Sequence, residues 1–314
     1  MTLVRALLKA DFGVSHPTYY VRYFLAHLRD KSSVRALLKA DFDVFHPTYY
    51  DPYFLAYLHK PFVLTIHDMI HEKFPAYFNQ NDKTGFNKKN LALKSSKIIA
   101  ISASTKNDIL ALYPEIAAEK ITVVYHGASM KPAPLDVNVE KENYLLFTGN
   151  RDGYKNFSTF AQAVAPLLLR YGLRLICTGR PFDSPELALL SELAIADRTV
   201  CRFAAEEELA DLYAKAVAFI FPSLYEGFGI PILEAFAAGC PAILSNTSSL
   251  PEVGGDAAAY FDPYNVEEMR KAIESVITSP SLQKELVVKG RTRLSNFSWE
   301  KCAKKTAAVY AGAV

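Results

Sequence analysis

The chain has 314 residues, half of them hydrophobic and 22% charged, with a formal net charge of +2. That size suits one large or two ordinary globular domains, and the charge lacks the basic excess of a nucleic-acid reader, so no nucleic-acid partner is expected. No apolar run reaches the roughly 18 residues of a membrane-spanning helix, and the first residues lack the apolar core and cleavage site of a signal peptide; a cytoplasmic protein is expected, with peripheral contact at the inner face of a membrane left open by aromatic and basic residues before position 60.

Residues 4–30 and 34–60 form a direct repeat, identical at 20 of 27 positions. His16-Pro-Thr-Tyr-Tyr, for instance, returns as His46-Pro-Thr-Tyr-Tyr. Each copy reads as a short helix, a strand from Val14 or Val44 onward, and a second helix. A solenoid needs about three units or more to bury a continuous core, so two copies read as a local duplication. The second copy runs straight into the blocks that follow and is taken as the one in native register. After it, residues 61–68 read as a buried strand ending in polar His67 and Asp68, 90–96 as helix, 97–102 as strand, 104–109 as the start of a helix, and 121–127 as strand. Residues 128–141, with two prolines and mixed charge, read as a linker.

A second alternating series follows: strands at 144–148, 173–178, 200–203, 217–221, 241–245 and 258–261, with helices at 157–171, 184–196, 206–216 and 231–238 between them. Strand–helix alternation at this spacing predicts an α/β protein with parallel sheets covered by helices. Ligands of such sheets bind beyond the carboxyl ends of the strands. There is no G-x-G-x-x-G, which counts against a dinucleotide site. Cys177, Cys201, Cys240 and Cys302 have no paired spacing and read as reduced thiols. His16, His46, His59 and His71 show no metal-ligand spacing, and no metal site is expected.

The most informative segment is Phe221-Pro-Ser-Leu-Tyr-Glu226-Gly227-Phe228-Gly229-Ile230-Pro231-Ile-Leu-Glu234. It joins a buried strand to a helix through two glycines, with Pro231 suited to the helix's first turn. Such a corner aims backbone N–H groups and the positive end of a helix at one point, which favours an anion such as a diphosphate. Glu226 and Glu234 are then suited to accept hydrogen bonds from hydroxyls. After strand 144–148 comes Gly149-Asn150-Arg151-Asp-Gly-Tyr-Lys155, whose guanidinium and ammonium can reach a shared anion, or which is an exposed charged turn. Glu234 can equally serve the helix dipole. A lone histidine at a strand end, His67, is by default a satisfied buried side chain. Phe203 reads either as core or as the border of a loop.

The segment 221–234 resembles the Glu-x7-Glu motif of retaining glycosyltransferases of family 4 (GT4), and further blocks in the same order extend the resemblance over roughly residues 40–312. The resemblance implies the GT-B architecture, two Rossmann-like domains facing a cleft: 1–135 on the acceptor side, 136–296 binding the donor, and 297–314 a helix returning to the first domain. It implies that Arg151 and Lys155 hold the donor diphosphate and act with Glu226 and His67 as the catalytic set, His67 facing the donor sugar across the cleft. Glu234 would meet the ribose hydroxyls; Gly149, Asn150, Gly227, Phe228, Gly229 and Ile230 would complete the donor site, with Gly179, Arg180 and Phe203 bordering base and ribose. Asp68 and His126 are placed on the acceptor side, His126 with hinge-side packing as its other reading. Retention is inherited from the resemblance, by front-face attack with the leaving phosphate as base. The blocks beginning at His46 and His67 look like those of bacterial mannosyltransferases of surface polysaccharide synthesis. The expected substrates are a GDP- or UDP-linked sugar, with mannose as the sugar, and a glycan or lipid-linked acceptor, without cofactor or metal. The first domain departs from the family pattern: about two opening strands and a Gly-rich loop are missing, so it is expected to be truncated. A truncated, non-catalytic nucleotide-sugar-binding protein is therefore the alternative. An epimerase or phosphorylase of the same architecture is a further rival, though no block suggests the pyridoxal-binding lysine a phosphorylase needs.

Overall fold

The structure is a computed structural model that describes residues 31–39, 41–132, 139–151 and 153–314. The first copy of the repeat, 4–30, lies outside them. The chain falls into two units: the described residues up to Tyr125 together with Cys302–Val314, and His126–Lys301.

The first unit begins with α1 (Lys31–Lys39) and carries β1 (Val63–Ile66), α2 (Ile70–Lys73), α3 (Thr84–Lys94), β2 (Lys97–Ala100), α4 (Ala103–Leu112) and β3 (Ile121–Val123). The strands form a parallel sheet in the order β1-β2-β3. The strand expected from Val44 onward is a single parallel bridge between Phe45 and Phe62. Pro47 follows two residues later, has no N–H to donate to a ladder, and turns the chain away. Val44, Val63, Ile99 and Val124 pack with Val309 in one apolar cluster. His46 fixes the edge of that cluster, with Nδ1 2.6 Å from the Tyr310 hydroxyl and Nε2 2.9 Å from Thr65 Oγ1.

The second unit contains β4 (Glu142–Phe147), α5 (Phe157–Tyr171), β5 (Arg174–Thr178), α6 (Ser184–Glu192), β6 (Thr199–Arg202), α7 (Glu206–Lys215), β7 (Ala216–Phe221), α8 (Ile230–Ala238), β8 (Ala242–Ser245), α9 (Leu250–Gly254), β9 (Ala258–Phe261), α10 (Val266–Ile277) and α11 (Pro280–Leu294). A last helix, α12 (Trp299–Ala311), ends the fold. All pairings in the six-stranded sheet are parallel, in the order β6-β5-β4-β7-β8-β9. Helices cover both faces of such a sheet, so its strands are near-continuous apolar runs, and β8 is buried along its whole length. Leu145, Phe147, Phe157, Phe160, Ile220, Ile243 and Phe261 are among the core residues that lock the helices to it. Among the described residues no helix is long and apolar enough to cross a membrane.

The order has one consequence for function. Successive strands run outward from β4 to β6, then the chain returns to β7 beside β4 and continues the other way. The chain therefore leaves β4 and β7 toward opposite sides of the sheet, and their carboxyl ends mark the switch point at which the crevice of such sheets binds ligands.

Candidate active site

The two blocks singled out in the sequence leave β4 and β7, and the sheet order makes them neighbours. The N–H of Leu224 donates to the Tyr154 carbonyl at 2.7 Å, joining the loops directly. The loop after β5 closes on the same place. Gly179 has φ +120°, and a Cβ on it would lie 2.8 Å from the Gly149 carbonyl oxygen, so only glycine lets the two turns touch. Gly229, at φ +100°, delivers the chain into α8, with Ile230 as its first residue and Pro231 in its first turn.

Lys155 and Glu226 meet in this crevice, Nζ donating to Oε1 at 2.6 Å, with side chains only 18% and 12% exposed. The turn carrying Glu226 is tied down from below by hydroxyls after β8. The Glu226 N–H donates to Ser248 Oγ at 2.9 Å, Ser249 Oγ donates to the carbonyls of Glu226 and Phe228, and Thr247 Oγ1 donates to the carbonyl of Leu224. Glu234, within α8, accepts a 3.0 Å bond from the Tyr213 hydroxyl, which lies 3.1 Å from Thr148 Oγ1. Burial first, and the Glu234 charge second, hold the Tyr213 hydroxyl well above the ordinary tyrosine value, so it remains a neutral donor. Asn156 takes a left-handed backbone, φ 60°, and donates through Nδ2 to the carbonyls of Pro222 and Pro263, fixing the start of α5 beneath the corner. Sequence reasoning gave no role to Thr247, Ser248, Ser249, Tyr213 or Asn156. The signal it passed over was the polar run Ser245-Asn-Thr-Ser-Ser249 at the end of a buried strand.

The Arg151 guanidinium is buried and turned toward the loop after β5. Nε donates to Glu186 Oε1 at 3.0 Å, while one terminal nitrogen donates to the carbonyls of Arg180 and Pro181 and the planar group lies 4.5 Å from the Phe182 ring centroid. The physical reason is a carboxylate 35 residues along the chain, brought close by the β4–β5 pairing, that neutralises the guanidinium inside the fold. The loops after β4, β5 and β6 enclose a hollow of about 730 Å³ lined by Asn150, Gly179, Arg180, Phe182, Cys201 and Phe203, among others. Phe203 settles its two readings here: at 89% exposure it is no core residue. Phe228, in contrast, is buried, edge-on to His126 at 5.4 Å and to Phe297 at 5.8 Å. His126 also lies 5.3 Å from the Trp299 ring, so the structure puts it in an aromatic packing cluster.

His67 and Asp68 belong to the first unit, at the end of β1. The His67 N–H donates to the Tyr50 hydroxyl at 2.9 Å, and Asp68 Oδ1 accepts from the Ile70 N–H at 3.0 Å. Behind them sits a wholly buried ammonium: Lys88 Nζ donates to the Asp68 carbonyl and to Glu72 Oε2, both at 2.9 Å, and Glu72 also accepts from the Tyr113 hydroxyl. Burial lowers the His67 pKa below the ordinary value; Asp68 opposes that and Lys88 adds to it. His46 is lowered to about 4 by burial and by His67. Both imidazoles are neutral at pH 7.

Comparison with known proteins follows the same division of the chain. The sequence model described as Glycosyl transferases group 1 matches residues 136–293, and that of Glycosyltransferase Family 4 matches residues 8–131. The chain is 31% identical over 265 residues to O-antigen chain mannosyltransferase B of Escherichia coli, covering 79% of this chain and 69% of that protein. It is 29% identical over 218 residues to an O-antigen chain mannosyltransferase of Salmonella typhimurium, covering 69% of this chain and 61% of that one. It is 32% identical over 234 residues to an MMP alpha-(1->4)-mannosyltransferase of Mycolicibacterium hassiacum, covering 72% and 56%. It thus spans between about half and two thirds of the length of these relatives. Among solved structures, WaaG, a glycosyltransferase involved in lipopolysaccharide biosynthesis, has the same fold, with a TM-score of 0.72, 18% identity, and coverage of 97% of this chain and 85% of that one. Anabaena HepE in complex with UDP and glucose does so with a TM-score of 0.73, 17% identity and coverage of 92% and 83%.

Proposed function

The chain belongs to glycosyltransferase family 4, and we propose that it transfers a mannosyl unit, with retention, from a nucleoside diphosphate sugar to a hydroxyl of a glycan or lipid-linked acceptor. The observation that carries this is the Lys155–Glu226 pair in the crevice between β4 and β7, beside the N-terminus of α8. An ammonium and a helix N-terminus suit a diphosphate, and a carboxylate at the same point suits sugar hydroxyls. The mannosyl unit and the acceptor class are taken from the names of the relatives.

In this reading the diphosphate takes the Lys155 ammonium from Glu226. Glu226 is then released toward the hydroxyls of the sugar, and Glu234, steadied by Tyr213, accepts from the ribose. Charge accumulates on the leaving diphosphate as the glycosidic bond breaks, and the fixed positive groups around it lower that barrier without a metal. The base occupies the hollow bounded by Phe203 and Arg180.

The test is incubation of the purified chain with GDP- and UDP-linked sugars and acceptor oligosaccharides, followed by proton NMR of the new anomeric centre. An α-linked product from an α-linked donor is expected. An inverted anomer rejects retention, and nucleotide binding without turnover across donors and acceptors replaces the enzyme with a binding protein.

A further inference from the structure

Glu186 was given no role by the sequence, yet it is the hub of the wall between β4 and β5. It stands in the first turn of α6 and closes a capping box with Asp183: Asp183 Oδ1 accepts from the Glu186 N–H, and Glu186 Oε2 accepts from the Asp183 N–H, both at 2.9 Å. The same carboxylate accepts from Arg151 Nε at 3.0 Å and from both terminal nitrogens of Arg180, at 3.0 and 3.1 Å. Asp183 Oδ2 lies 3.2 Å from Arg180 as well. Among the described residues, two guanidiniums are thus matched by two carboxylates.

What remains is geometry. Arg180 lines the hollow, and its N–H edge is taken up by Glu186, Asp183 and the Pro181 carbonyl. A guanidinium held by its edge offers its flat face, and flat guanidinium faces stack on aromatic rings and nucleobases. The neighbouring lining is Phe182, Leu187, Val200 and the exposed Phe203, a surface for a flat ring and not for a phosphate.

We propose that Glu186 is a positioning residue of the donor site: it turns Arg180 into a fixed planar wall against which the nucleobase stacks. The inference rests on reading the hollow as the base pocket of the donor.

The experiment measures UDP, GDP and pyrophosphate binding, with donor KM and kcat, on the full chain and on Arg180→Lys, Arg180→Tyr, Glu186→Gln and the double variant Glu186→Gln/Arg180→Lys. Arg180→Lys keeps the charge and loses the plane; it is expected to weaken nucleotide binding about tenfold, raise donor KM to match, leave kcat within twofold and leave pyrophosphate binding unchanged. Arg180→Tyr restores most of the loss. Glu186→Gln weakens nucleotide binding about fivefold, and the double variant is no weaker than Arg180→Lys alone. The proposal is overturned if Arg180→Lys is harmless, if the loss extends to pyrophosphate, or if the double variant loses the product of the two single effects. Should Glu186→Gln fail to fold, the Lys and Tyr variants at the partly exposed Arg180 decide the matter by the same criteria. A wild-type chain that binds neither UDP nor GDP removes the donor reading and this proposal with it, an outcome distinct from selective loss in a variant.

Discussion

If the diphosphate of a donor takes Lys155 over from Glu226, then removing the Glu226 charge should make the protein bind free nucleoside diphosphate more tightly while it transfers sugar less well. In the ligand-free chain the ammonium is held by a 2.6 Å charge-assisted bond between two side chains that are mostly buried. Hydrogen bonds to charged groups contribute roughly 1.5–3 kcal/mol. A diphosphate must displace that bond in the wild type, but meets an ammonium no longer held by a carboxylate charge at this position in Glu226→Gln, whose amide keeps the shape and loses the charge. Recovering about 1–2 kcal/mol of that competition corresponds to nucleotide binding tighter by roughly 5–30-fold. The ligand-free variant should also melt earlier, since breaking one half of a buried pair strands the other, and nucleotide should raise its Tm by more than it raises that of the wild type. Isothermal titration with UDP and GDP, paired with transfer assays, reads both effects. Lys155→Met serves as the control and should lose nucleotide binding. Nucleotide affinity that is unchanged or weaker in Glu226→Gln refutes the exchange of partners.

Three further outcomes follow from the geometry. His46 has a folded pKa of about 4 against 6.5 for the free group, so between these values the unfolded chain holds a proton that the folded chain does not; stability is full above pH 6.5 and falls as pH drops toward 4, by about 2 kcal/mol between pH 7 and 5. Urea unfolding at the two pH values should show that loss, and His46→Gln should reduce it. Gly179→Ala forces a Cβ to 2.8 Å from the Gly149 carbonyl at a φ of +120°, and should destabilise the second unit by about 2 kcal/mol or more while opening the base pocket, read as a lower Tm and weaker nucleotide binding. Lys88→Met leaves the partly buried Glu72 without its cation, an expected loss of about 2–3 kcal/mol, and Lys88→Met/Glu72→Gln should recover part of it in thermal melts.

The second unit was legible because each of its strands is a short apolar run that both faces of the sheet bury, bounded by turn residues. The expected strand at 200–203 is found at Thr199–Arg202, and that at 258–261 is found at Ala258–Phe261. Where a strand must be recognised against a proline, as at Val44, the run of Val and Phe misled, because a ladder needs donors and Pro47 has none. The charged residues of the crevice were legible as types, but their partners were not. Lys155 finds Glu226 only because β7 returns to lie beside β4 after two intervening strands, and local spacing carries no trace of that return. Arg151 shows the same limit more sharply. A guanidinium four residues before a lysine reads as half of an anion clamp, and nothing in local spacing shows that β4–β5 pairing brings Glu186 to it. The cations open to a ligand in such a crevice are those whose partner can be exchanged on binding. Under the proposed function Lys155, whose carboxylate partner would turn to sugar hydroxyls, acts on the donor, while Arg151 is enclosed by Glu186, two carbonyls and Phe182.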